Sequence, residues 1–412
     1  MVSYEDKELK LLIKTRDEAD EKYALRMTPN TMEIVKLVEN FISENDLICY
    51  GGIAINNILP IKARFYQSND FPDYDFFSPD ALNHVKKLAD IYAKKGYGNI
   101  EAKSGFHYGT YKVYVNFYNI ADITHIEPEL YKNIKKHAIK KNKILYAPPN
   151  FLRMSMYLEL SRPKGDTTRW EKILPRLKLL NKFYPLNSSK CFQKTQKLKG
   201  LQYNIYETLK ILLSEEKVIF FGGFASALYS KYSKKKNNIS NTMKLDVLSL
   251  NAEQCANNIK NKLKDFKVVI NHIPNIGELI PEHYSITVDN NLYANIYQSI
   301  ACYTYNKIHI KNKTYNIATI FTMLSLYLIF VFADNILYDS DRIVCTAHML
   351  QLMYEKNRLQ KKGILRVYTI DCIGEQETFE DILLQKKKAH NDLKKKDSKY
   401  EKWFLRYTPK YK

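Results

Sequence analysis

One plan is written twice in this chain. LICYGG (Leu47–Gly52) and PDYDFFS (Pro72–Ser78) return as VIFFGG (Val218–Gly223) and MKLDVLS (Met243–Ser249), so that Gly51 and Gly222, and Asp75 and Asp246, are each 171 residues apart. KNKILYAPPNFLRMSMYL (Lys141–Leu158) returns without a gap as KNKTYNIATIFTMLSLYL (Lys311–Leu328), at a spacing of 170. The helix expected before each first strand obeys the same rule: Met32, Ile34, Val38, Phe41 and Ile42 correspond to Tyr203, Ile205, Leu209, Leu212 and Leu213. A spacing kept over so many positions marks an internal repeat, which restricts the fold to two copies of one supersecondary plan. The copies differ in their acidic residues. Asp73 becomes Lys244, and matching VNFYNIAD to ANIYQSIA sets Asp122 opposite Ala301. The first copy is therefore expected to hold metal and the second is not.

The chemistry of the first copy follows from strand geometry. Alternate side chains of a strand share a face, so Asp73 and Asp75 of DYD project the same way. Two neighbouring carboxylates repel unless a cation lies between them, and hard divalent ions with oxygen ligands, Mg²⁺ or Mn²⁺, suit them. Asp122, on the alternating stretch Tyr108–Thr124, would complete a site of three carboxylates and two ions. One ion would lower the pKa of an attacking hydroxyl and the other would neutralise a leaving pyrophosphate. Gly51–Gly52, at a strand-to-helix turn, lets backbone N–H groups approach phosphate, and the helix N-terminus behind it favours anions. The DxD of DSDR (Asp339, Asp341) lacks this context and reads as a surface turn.

Composition sets the partners. With 45% hydrophobic and 13% aromatic residues, the 412-residue chain has enough apolar material for two or three cores. Its 64 basic against 44 acidic residues give a net charge of +20, which suits a polyanionic partner; an AT-rich genome, enriching Lys, Asn, Tyr and Ile, would skew composition the same way. The six cysteines are scattered and form no CxxC pair, which argues against zinc and against a disulfide framework and favours a reducing compartment. The N-terminal residues carry no apolar run of the secretory kind. The apolar stretch Ile317–Ala333 is short for a membrane span and interrupted by hydroxyl residues, so a buried core helix is expected.

The expected architecture is α/β (α+β): two tandem modules, the second degenerate. A helical arm is expected over residues 1–27, the first module over 28–190, the second over 191–373, and a basic tail over 374–412 that reads as a solvated face. Within the first module, helices are expected at Ile53–Leu59, at Asn150–Ser161 and at Trp170–Lys182, with Ser78 capping a further one.

The pattern YGGIAINN followed by DYDFFS resembles the nucleotidyltransferase superfamily that includes DNA polymerase beta and the poly(A) polymerases. A live copy followed by a degenerate one resembles, more narrowly, the poly(A) polymerase catalytic subunits of poxviruses and other large nucleocytoplasmic DNA viruses, over roughly residues 28–372. The resemblance implies template-independent transfer of AMP from ATP to an RNA 3′-hydroxyl, in the cytoplasmic factory or virion of such a virus. It places metal ligands at Asp73, Asp75 and Asp122, and the triphosphate turn at Gly51 and Gly52. Asn56, on the helix after the turn, is a candidate for a phosphate or ribose contact, and Arg153 for balancing triphosphate charge. The RNA 3′ end and ATP are the implied partners, with either a second copy of the chain or a separate processivity subunit beside them. The sequence departs from many relatives in reading GGI where they have GGS, so a serine contact to phosphate is missing.

Overall fold

The structure is a computed structural model that describes residues 4–23, 28–67, 70–186, 199–232, 244–333 and 339–410. Cys191, Met243 and most of the basic run Lys231–Asn238 fall outside them. The first repeat runs α1 (Tyr4–Tyr23), α2 (Pro29–Glu44), β1 (Ile48–Cys49), α3 (Gly51–Ile58), β2 (Tyr74–Ser78), α4 (Ala81–Lys94), β3 (Glu101–Ser104), β4 (Thr110–Val115), β5 (Tyr118–His125), α5 (Pro128–Lys136), β6 (Ile139–Lys141), β7 (Ile144–Tyr146), α6 (Pro149–Leu160) and α7 (Trp170–Phe183). The second runs α8 (Gly200–Glu215), β8 (Ile219–Phe221), α9 (Gly222–Ser230), β9 (Leu245–Ser249), α10 (Ala252–Lys262), β10 (Val268–Ile273), β11 (His283–Val288), β12 (Asn291–Gln298), β13 (Tyr303–Ile310), β14 (Lys313–Ala318), α11 (Ile320–Phe330) and α12 (Ser340–Asn357). β15 (Cys372–Ile373), α13 (Phe379–Asp392), α14 (Ser398–Phe404) and β16 (Arg406–Tyr407) follow.

The repeat read from sequence is a repeat of topology. One sheet has the order β16-β3-β4-β5-β2-β1-β7-β6 and the other β10-β11-β12-β9-β8-β14-β13-β15. Apart from one added edge strand each, the two orders are the same sequence of equivalents, giving the mixed α+β class expected. In both, the strand before the glycine pair lies antiparallel to the strand bearing the aspartate, and that strand lies parallel to the third.

Local chemistry explains the elements. Thr28 closes a capping box with Thr31, and Pro29 starts α2 where its missing N–H costs nothing. The buried stripe Ile34, Val38, Phe41 and Ile42 then seats α2 on the sheet. Phe76 of β2 meets Phe41 at a centroid distance of 6.4 Å, and the Tyr74 hydroxyl donates to Glu39 Oε1 at 2.5 Å. With Tyr74 and Phe76 committed to α2, the alternation of β2 sends Asp73 and Asp75 to the other face. α4 begins at Ala81 after an Asp80 cap, and Ser78 contributes by accepting from the Asp80 N–H at 2.9 Å. α11 is buried at every residue, as expected of a core helix. Among the described residues no helix is long and apolar enough to cross a membrane.

Three expectations change. By contacts the chain divides into one unit of residues 1–125, 140–146 and 396–412 and another of 126–139 and 147–395, not at 190/191 and 373/374. The reason is packing: α6 lies against α7 and α11 within the second unit. The tail is structured as well. β16 pairs with β3, the Tyr407 hydroxyl donates to Asp90 Oδ1 at 2.6 Å, and Glu401 pairs with Lys86 at 2.6 Å. Finally, Cys302 and Cys372 form a disulfide and Cys345 is also disulfide-bonded, while among the described residues Cys49 and Cys255 are buried free thiols. The sequence separation of 70 between Cys302 and Cys372 conceals that β15 returns to the edge of β13.

Candidate functional site

The first unit brings the predicted carboxylates together. β2 and β5 run parallel with Asp75 in register with Asp122, and Asp73 lies two residues before Asp75 on the same face. β1 ends beside them. Tyr50, the residue before α3, donates its N–H to Asp75 O at 2.9 Å, stacks on Phe77 at 3.9 Å, and bonds its hydroxyl to Thr124 Oγ1 at 2.8 Å. The phenol is thereby pinned, and burial followed by the charge of Asp75 raises its pKa. Gly51 sits at φ +71°, and a Cβ there would stand 2.5 Å from Asp75 Oδ2. Only glycine allows the turn to lie against the carboxylate. Gly52 follows in the first turn of α3.

Two neighbours went unread in the sequence. Lys112 of β4 pairs with Asp122 Oδ2 at 2.5 Å. Burial works to lower the lysine's pKa, but the bond to Asp122 and its charge raise it on balance. The Asn119 amide bridges two carboxylates, donating to Asp122 Oδ1 at 2.9 Å and to Asp73 Oδ1 at 3.3 Å, while its own Oδ1 is buried without a partner. The signal for Lys112 was hidden by a bulge. The turn at Asn116–Phe117, both at positive φ, sets Val115 opposite Tyr118; a shift between Val113 and Tyr114 then carries Lys112 from Ala121 to Asp122.

Among the described residues no three His, Cys, Asp or Glu side chains converge as a ready-made ion site, and Lys112 and Asn119 stand among the carboxylates. The donor set nevertheless fits a hard divalent ion. Two carboxylate oxygens already converge on the point held by the Asn119 nitrogen, and the orphaned amide oxygen is one more hard donor. Asp73, Asp75 and Asp122 are the residues that would hold such ions.

Two other candidates are corrected. Asn56 is 4% exposed and its Oδ1 accepts the backbone N–H groups of Phe65 and Tyr66 at 2.9 and 3.0 Å. It shapes the segment after α3 and has no carbonyl oxygen facing a ligand. Arg153 is fully buried in the second unit, where its guanidinium donates to Asn181 Oδ1 at 2.8 Å, to Asn150 Oδ1 at 2.5 Å and to Tyr184 O. Burial lowers its pKa to about 10, still charged at neutral pH, and its donors are spent on α6 and α7. Its guanidinium is not exposed as a surface charge.

The second unit shows the same frame with different charges. Gly222 (φ +68°) lies against Asp246 as Gly51 does against Asp75. Lys244 Nζ pairs with Asp246 Oδ1 at 3.2 Å, as its position suggests. The equivalent of Asp122 is Asn295, which is in register with Asp246, and not Ala301. VNFYNIAD therefore matches VDNNLYAN (Val288–Asn295), two residues having been gained between the aspartate strand and this one. With its amide turned so that both ends meet complementary atoms, Asn295 accepts from Lys244 Nζ and donates to Ser285 Oγ, each at 2.9 Å. The first site, with Asp73, Asp75 and Asp122 against Lys112, carries two net negative charges; Asp246 against Lys244 carries none.

Residues 36–166, which include this site, match the family model described as poly(A) polymerase catalytic subunit. A protein of African swine fever virus (strain Badajoz 1971 Vero-adapted), provisionally named a poly(A) polymerase catalytic subunit, is 32% identical over 173 residues, 40% of this chain and 36% of that protein. A protein of Acanthamoeba polyphaga mimivirus with the same provisional name is 31% identical over 157 residues, 37% of this chain and 26% of that one. The chain thus spans about a third of the length of the curated relatives it matches. The crystal structure of the Megavirus polyadenylate synthase superposes with a TM-score of 0.81 at 20% identity, covering 99% of this chain and 86% of that one, a likeness of fold. The resemblance to poly(A) polymerase catalytic subunits of large DNA viruses holds.

Proposed function

We propose that this chain, similar to the poly(A) polymerase catalytic subunits of large DNA viruses, transfers AMP from ATP to the 3′-hydroxyl of RNA without a template, as in mRNA polyadenylation in the cytoplasm of an infected cell. The observation that carries the reading is the register of Asp75 with Asp122 beside a glycine turn, inside the segment that matches the family. In the reaction the RNA 3′-oxygen bonds to the α-phosphorus as the bond to pyrophosphate breaks and the hydroxyl proton leaves. When bound, two divalent ions, Mg²⁺ or Mn²⁺, would supply a lowered hydroxyl pKa and neutralisation of the leaving group. Asp73, Asp75 and Asp122 would hold them, and Tyr50 and Gly51 fix the turn so that the first N–H groups of α3 can meet phosphate oxygens. The second unit, neutral at its equivalent site, contributes binding surface to RNA. The net charge of +20 supports RNA over a small acceptor.

The test is a labelled RNA primer incubated with each nucleoside triphosphate separately and Mg²⁺ or Mn²⁺. Extension with ATP and not with CTP, GTP or UTP is expected. Preference for another nucleotide would leave a nucleotidyltransferase of different specificity, and no incorporation under any condition would leave an RNA-binding scaffold.

A further inference from the structure

Lys112 and Asn119 remain unexplained by the three ligands. Both oxygens of Asp122 are occupied in the structure, Oδ2 by the Lys112 ammonium at 2.5 Å and Oδ1 by the Asn119 amide at 2.9 Å. The pair is two-thirds or more shielded, with 29% of the lysine and 17% of the aspartate side chain exposed, so the attraction is stronger than in bulk water. A hairpin staple would account for such a bridge taken alone.

The second unit argues for more. Its hairpin has the same two-residue turn, Asp289–Asn290, and the same bulge, here between Ile286 and Thr287, so positions compare directly. Ser285 stands opposite Asn295 as Lys112 stands opposite Asp122, and Leu292 takes the place of Asn119. The hairpin persists there without the ammonium, so the fold does not need it. Where the third carboxylate is absent, the lysine is absent from this strand and a positive charge stands at Lys244 instead. Lys112 therefore follows the carboxylate and not the hairpin.

We propose that Lys112 is a positioning residue that holds the Asp122 carboxylate facing the other two aspartates and yields it to the incoming ions, with Asn119 keeping the gap between Asp73 and Asp122 open. This rests on the reading of those aspartates as an ion site. Ions binding without nucleotide must displace the ammonium, so the site favours metal arriving together with the triphosphate, whose own charge gives Lys112 a new partner.

The test is Mn²⁺ binding to the full chain without nucleotide, followed by the paramagnetic resonance of free Mn²⁺, for wild type, Lys112→Ser, Lys112→Met, Lys112→Arg and Asp75→Asn. Melting temperatures identify folded variants. Lys112→Ser and Lys112→Met should bind Mn²⁺ about tenfold more tightly than wild type, since a competing cation a few ångströms away is removed. Lys112→Arg should stay near wild type, and in an Asp122→Asn background the Lys112 substitutions should have a clearly smaller effect, since only the part acting through Asp122 is lost. Unchanged or weaker Mn²⁺ affinity in both folded neutral variants would overturn the role and reduce Lys112 to a staple. If wild type shows no Asp75-dependent Mn²⁺ binding, the ion site itself is overturned and this role with it.

Discussion

Gly51 is confined to glycine by two separate demands, a φ of +71° and the Asp75 carboxylate 2.5 Å from where its Cβ would be. Replacing Gly51 by alanine costs about 1–3 kcal/mol of backbone strain and pushes Asp75 off its position. Primer extension by Gly51→Ala is expected to fall by about a hundredfold or more, because misplacing a reacting geometry by an ångström is that costly, while far-UV circular dichroism stays native. Extension within a few-fold of wild type would remove the turn from the chemistry. At this scale the sequence was most legible where a side chain's direction followed from strand alternation, as for Asp73 and Asp75. It misled for Asn56 and Arg153, because a polar residue on a helix near the site can spend its hydrogen bonds inward, on the Phe65 and Tyr66 amides or on Asn181 and Tyr184.

Elements carried their own errors and their own test. α6 and α7 are joined through Arg153, whose loss would strand a buried acceptor at Asn181 and two half-buried ones at Asn150 and Tyr184. Arg153→Met is expected to destabilise the second unit by about 3–5 kcal/mol, seen as a lowered melting temperature, with the KM for ATP unchanged per folded molecule. A raised KM without loss of stability would return Arg153 to the nucleotide. The helices were legible to within two residues, at α6 and α7 for example, because their apolar spacing is strong. β5 and its hairpin were not fully legible: one bulge moves every pairing beyond it, which hid Lys112, and a two-residue length change hid Asn295 behind Ala301. The C-terminal strand was missed for a related reason, since β16 has only Arg406 and Tyr407 in the sheet and draws its anchorage from β3 and Asp90.

Across the whole molecule the two sheets share one strand order, yet their centres differ in charge. The first leaves two negative charges for bound cations to neutralise, and the second balances itself with Lys244. That contrast is the basis of the proposed division of labour, and the repeat spacing made it legible even though the second unit's counterpart of Asp122 was misplaced. The matched pair Asp75→Asn and Asp246→Asn tests it, because the two aspartates occupy equivalent strands, each beside its glycine. AMP incorporation into a labelled RNA primer should be abolished by Asp75→Asn and remain within a few-fold of wild type in Asp246→Asn, both proteins folded. Loss of activity in Asp246→Asn with survival in Asp75→Asn would place the chemistry in the second unit and contradict the assignment.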